Sequence, residues 1–124
     1  MTRVVILGGP KTGKTTFSGD YGGNVVHTDD FMGLDWSAQS DIVAEVLDWP
    51  GPWVMEGCAV VRGLRKWLKA HKAGLPFDRL IYLSRPLRVL TDGQARMYKG
   101  THTIWNEIKG EITKRVTTQT MDVL

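Results

Sequence analysis

The sequence of 124 residues predicts an α/β fold, a three-layer α/β/α sandwich around a parallel sheet of four or five strands. Two observations carry the prediction. Short β-branched apolar runs alternate along the chain with stretches of helical periodicity, the order that yields a parallel sheet flanked by helices. Each residue with evident chemistry also falls just past the carboxyl end of one of those runs, where ligands bind in such sheets.

Each element has its own signal. "RVVIL" (Arg3–Leu7) reads as a buried parallel strand. A glycine-rich loop follows and opens a helix of about two turns from Lys14, stopped by "DYGGN" (Asp20–Asn24). "NVVHT" (Asn24–Thr28) reads as the second strand. In "SAQSDIVAEVLDW" (Ser37–Trp49), Ile42, Val43, Val46 and Leu47 recur at helical spacing, with Ser37 or Ser40 as the cap and Pro50-Gly51-Pro52 as the stop. "WVMEG" (Trp53–Gly57) is the third strand, and "VRGLRKWLKAHKAG" (Val61–Gly74) a basic amphipathic helix with Leu64, Trp67, Leu68 and His71 on neighbouring turns. "DRLIYLS" (Asp78–Ser84) is the fourth strand. Pro86 suits the first turn of a helix running to Tyr98 before Gly100, and Ile104, Ile108 and Ile112 mark another after it. "TTQTMDVL", which ends the sequence, reads either as a short edge strand or as a frayed tail.

Length and composition suit one domain over residues 1–124, with 42% hydrophobic and 23% charged residues. No apolar run approaches the roughly 20 residues of a membrane span, and Met1-Thr2-Arg3 leads into a strand rather than a signal peptide. One cysteine, Cys58, excludes an internal disulfide, so a cytoplasmic protein is expected. Charge is unevenly divided. Residues 1–61 carry three basic and eight acidic side chains, residues 62–124 thirteen basic and five acidic. That is either a solvated helical surface or one half presenting acids to a metal while the other closes over phosphates.

Gly8-Gly9-Pro10-Lys11-Thr12-Gly13-Lys14-Thr15 fits G-x-x-x-x-G-K-[ST] in full, between a strand and a helix. Gly8 and Gly13 let the backbone turn its N–H groups inward around a phosphate, and the helix near Lys14 adds its positive dipole end. The Lys14 ammonium then reaches β/γ oxygens and the Thr15 hydroxyl ligates Mg²⁺. Lys11 and Thr12 are spacers in the loop; Thr16 touches the α-phosphate or is an ordinary helix residue. Asp29 and Asp30, past the second strand, are either a turn and cap or a base and metal-site acid. Phe31, Met32 and Trp36 then wall an acceptor pocket or belong to the core. Glu56, past the third strand, holds a water on Mg²⁺ or is a hydrogen-bonded strand-end residue.

The glycine loop, "HTDDF", "MEG" and "LIYLSRP" together resemble the P-loop kinases of small molecules, a group that includes nucleoside, nucleoside monophosphate and polynucleotide kinases. The resemblance covers roughly residues 1–100 and implies a P-loop fold, ATP and Mg²⁺ as cofactors, and Asp29 as the base. It also implies a lid, about residues 85–103 here, whose arginines neutralise the transferring phosphoryl group. Arg85, Arg88, Arg96 and Lys99 lie in that place, with Arg88 or Arg96 on phosphate the alternative to plain surface arginines. Asp92-Gly93 would mark the lid's bend. Arg62 and Arg65 would contact an anionic acceptor. The tail departs from the family, so the adenine pocket has no assigned residues and is open, shared with a neighbouring subunit, or weakly selective.

Three functions follow. The first is phosphoryl transfer from ATP to a hydroxyl of a nucleoside, nucleotide or related metabolite. The second keeps the reaction with nucleic acid as acceptor, Arg62, Arg65, Lys66, Lys69 and Lys72 tracking a phosphate backbone beside Trp67. The third is a nucleotide-binding or ATPase module, for which no guanine-recognition motif of the N-K-x-D kind is present.

Overall fold

The first apolar run forms a strand and takes the middle of a sheet. In the computed structural model, which describes residues 3–8, 24–28, 33–83, 89–115 and 120–123, strands and helices alternate. β1 (Arg3–Gly8) and β2 (Val25–His27) precede α1 (Trp36–Leu47), and β3 (Trp53–Glu56) precedes α2 (Val60–Ala70). β4 (Arg79–Leu83), α3 (Asp92–Arg115) and β5 (Thr120–Val123) complete the order. The five strands lie in the order β2-β3-β1-β4-β5, and every neighbouring pair is parallel. The tail therefore takes the strand alternative, with Thr120 opposite Arg79 and Val123 opposite Tyr82.

Strand side chains alternate between two buried faces, as a parallel sheet requires. Val5, Leu7, Met55, Leu80 and Tyr82 point to one, where they meet Val43 and Leu47 of α1, Leu64 and Trp67 of α2, and Ile104, Ile108 and Ile112 of α3. Val4, Ile6, Val54, Ile81 and Leu83 fill the other. All three described helices pack on the first face. A helix from Lys14, the expected start of a further layer, lies outside the described residues.

Capping explains where two helices start. Asp35, not Ser37 or Ser40, caps α1: its backbone is extended (φ −68°, ψ 167°) and its Oδ1 accepts from the Ala38 N–H at 2.7 Å. Ser37 and Ser40 already lie inside the helix, and the Ser40 hydroxyl donates to the Ser37 carbonyl at 2.9 Å instead. At α3, the Thr91 Oγ1 accepts from the Gln94 N–H (3.2 Å) while Gln94 Oε1 accepts from the Thr91 N–H (3.0 Å). This reciprocal box fixes the helix start at Asp92.

Two sequence expectations are corrected here. Asp92-Gly93 is the first turn of α3 rather than a bend, because the box satisfies the N–H groups that a poor helix pair would leave exposed. Gly100 does not end a helix either: α3 continues through it to Arg115. Thr101, Ile104 and Trp105 are buried on the core, and that tertiary packing outweighs glycine's propensity cost of about 1 kcal/mol.

α1 and α2 approach closely at Gly63, where a β-carbon would stand 2.2 Å from Val43 Cγ1. Further exposed ion pairs tie the helices together, Asp41 to Lys66 across α1 and α2, and Arg65 to Glu107 (3.1 Å) across α2 and α3. At the amino-terminal edge of the sheet, Arg3 donates from Nε and Nη2 to Asp78 at 3.2 Å each, and its backbone N–H donates at 2.7 Å. These bonds hold the Asp78 carboxyl below its ordinary pKa.

Candidate active site

The register brings the carboxyl ends of four strands to one rim. Gly8, the last residue of β1, is opposite Leu83 of β4, while Ile6 and His27 are both opposite Glu56 of β3. The chain leaves β1 for β2 on one side of the sheet and leaves β4 for β5 on the other. The Gly8–Leu83 edge is thus the topological switch point, where connections diverge and where open α/β sheets bind ligands. The motif's first glycine ends the strand there.

Beside it is a buried carboxylate. Glu56 is 1% exposed, and its Oε1 is hydrogen-bonded to His27 Nδ1 of the neighbouring strand at 2.5 Å. An imidazole against a carboxyl group fixes that group's orientation, and the His27 side chain is itself 37% exposed. The backbone then turns sharply. Gly57 has φ +133°, and a β-carbon there would lie 1.7 Å from Thr28 Oγ1, so only glycine lets the ends of β2 and β3 come this close. Thr28 is itself buried, and among the described residues its hydroxyl has no hydrogen-bond partner. The Val60 N–H bonds back to the Gly57 carbonyl, so α2 starts directly off this turn.

α2 carries cations away from the rim. Arg62 stacks over the Trp36 ring, its guanidinium carbon 4.6 Å from the centroid, and approaches α3 where a β-carbon on Gly100 would lie 3.5 Å from its Nη2. Burial, then the charge of Arg65, pull Arg62 below the ordinary guanidinium range. Arg62, Arg65, Lys66 and Lys69 line one side of a cleft of about 310 Å³, and Trp36, Ser37 and Ser40 line the other. That is near the lower end of the ~300–1,000 Å³ usual for ligand pockets.

Of the residues expected at the site, Gly8 and Glu56 share the rim. Arg62 and Arg65 are on α2, and Arg96 is exposed on α3, one turn before Gly100. Gly9, Pro10, Lys11, Thr12, Gly13, Lys14, Thr15, Thr16, Asp29, Asp30, Phe31 and Arg88 lie outside the described residues, as do Met32 and Arg85. Trp67 is core rather than a stacking platform: it is buried, it stacks on His71 (3.9 Å between centroids), and its Nε1–H donates to Asp48 at 2.8 Å. The pairing of His27 with Glu56 was invisible in the sequence, where the only sign was a polar residue closing an apolar strand.

Among the described residues no three His, Cys, Asp or Glu side chains form a group able to hold a metal, and no described helix is long and apolar enough to cross a membrane. Set against known proteins, the chain matches no protein-family model and no curated protein sequence.

Proposed function

We propose that the protein is a P-loop kinase, transferring the γ-phosphoryl group of ATP to a hydroxyl. One observation supports this above the rest. The full G-x-x-x-x-G-K-T motif begins at the end of the central strand, at the switch point, one strand away from a buried, oriented carboxylate. Phosphoryl transfer asks a protein for positioning and charge neutralisation more than covalent chemistry, and a small sheet with acids at its rim suffices.

The loop N–H groups and Lys14 hold the β/γ oxygens, and Thr16 approaches the α-phosphate. Asp29 takes the proton of the attacking hydroxyl, and Arg88 or Arg96 neutralises the equatorial oxygens. Magnesium, when bound, supplies charge at the β and γ oxygens. Glu56 fits an outer role toward it, a hard oxygen donor held rigidly by His27, alongside Thr15 and Asp30.

The test is γ-labelled ATP with Mg²⁺ and a panel of nucleosides, nucleotides and oligonucleotides, products resolved by mass. Label on an acceptor is the expected result. Label released only as inorganic phosphate would overturn the reading in favour of a hydrolysing module.

A further inference from the structure

α2 presents more positive charge than one phosphate can use. Arg62 and Lys69 stand at the two ends of the cleft, and among the described residues neither is paired with a carboxylate. Seven helical residues separate them, about 10 Å at a rise of ~1.5 Å each. Between them Arg65 and Lys66 do have acidic partners, Glu107 and Asp41, but both pairs are largely solvent-exposed. Such pairs are worth about 0–1 kcal/mol and yield readily to a stronger anion. One phosphate cannot reach both unpaired ends. Four successive nucleotides, three steps of ~3.4 Å along a stacked strand, cover the distance.

The cleft's other wall adds an aromatic surface. Trp36 is 39% exposed although large and apolar. Arg62 takes one face of its ring, and a planar base is the group that such an exposed ring stacks in single-stranded nucleic acid. The Arg62 end is nearest the rim, because α2 begins four residues after Glu56.

We propose that this cleft holds single-stranded nucleic acid, its backbone along Arg62, Arg65 and Lys69 and a base on Trp36, so that a nucleotide of the strand is the acceptor. The acceptor role rests on the kinase reading; strand binding does not.

The experiment is fluorescence anisotropy with labelled dT12 between 20 and 200 mM salt, with thymidine 5′-monophosphate and a duplex of equal length as competitors. Three phosphate contacts predict a log–log salt slope of about −2, at ~0.7 per phosphate on a single strand. Lys69→Ala, at an exposed position, reduces affinity several-fold at low salt and flattens the slope by about 0.7. Trp36→Leu reduces affinity about 5- to 100-fold at every salt concentration and leaves the slope unchanged. No dT12 binding at 20 mM salt, equal affinity for the monophosphate or the duplex, or indifference to both variants would overturn the proposal. Strand binding without label transfer to any acceptor would sustain the cleft and end the kinase reading, whereas transfer to nucleosides with no strand binding would do the reverse.

Discussion

Replacing Gly57 by alanine tests how the rim is assembled. At φ +133° an L-residue sits in a region that it rarely occupies, and holding it there costs about 1–3 kcal/mol. The new methyl would also lie 1.7 Å from Thr28 Oγ1 and 2.9 Å from Thr28 Cβ. A rotation of Thr28 relieves the first contact but not the second, so the backbones of β2 and β3 must part, an overpacking cost of about 1–3 kcal/mol. Alanine returns about 0.4–1 kcal/mol by stiffening the unfolded chain. The net expectation is a loss of about 1–5.5 kcal/mol, against the ~5–15 kcal/mol that a domain has. Urea unfolding measures it. Thr28→Ala alone should cost only the ~0.8 kcal/mol of one buried methyl, because the hydroxyl that it also deletes has no hydrogen bond among the described residues. In the Gly57→Ala background it should restore part of the overpacking term and none of the φ term. A Gly57→Ala protein within about 0.5 kcal/mol of the parent, inside the range of an ordinary surface change, would refute the argument. So would a double variant no more stable than Gly57→Ala.

Three further outcomes are expected. Thr91→Ala breaks the reciprocal box at α3 and should cost about 0.5–2 kcal/mol in urea unfolding, with Thr91→Ser close to the parent. Asp78 has its folded pKa lowered by Arg3, so its contribution is complete above the unfolded value of about 3.9 and is lost as pH falls through the lower folded value. Asp78→Asn should cost about 1 kcal/mol or less at pH 7, since the pair is partly exposed, and should flatten the fall in Tm that the parent shows below about pH 4. Lys14→Ala should abolish phosphoryl transfer and weaken ATP binding, while Asp29→Asn should lower turnover by about 10²–10⁴ and leave ATP affinity nearly intact; calorimetry and label transfer read the two separately, and equal loss of affinity in both variants would remove Asp29 from the role of base.

The strands were legible because burial on both faces leaves a plain signal, a short apolar run, and "VVIL", "WVM" and "LIYL" lie on β1, β3 and β4. α2 was legible for the same reason in a helical period, with Leu64, Trp67 and Leu68 buried. α3 was misread because its long-range contacts do not show in local propensity: Gly100 sits where Arg62 of another helix approaches, and the buried side chains that follow it, Thr101, Ile104 and Trp105, hold the helix on the core. The cap of α1 was misread by two to five residues because Asp35, Ser37 and Ser40 all carry capping side chains, and only backbone dihedrals decide among them. At the rim, Glu56 was legible as an acid after a strand. Its partner was not, since nothing in "VVHTDD" says which neighbouring strand His27 will face.

That pairing shows what the sheet contributes to the site. β2 is a three-residue strand at the edge of the sheet, yet it supplies the imidazole that orients the carboxylate on β3. The two residues are directly opposite in the parallel register, and side chains alternate with a period of two, so a slip of one residue would carry His27 to the other face and away from Glu56 Oε1. The close approach at Gly57 and Thr28 lies one residue beyond this pair and prevents that slip, because no other register lets Thr28 pack on a position without a β-carbon. The glycine therefore acts on the geometry of the rim at one remove. It fixes the edge strand, the edge strand fixes the histidine, and the histidine fixes the acid beside the end of β1.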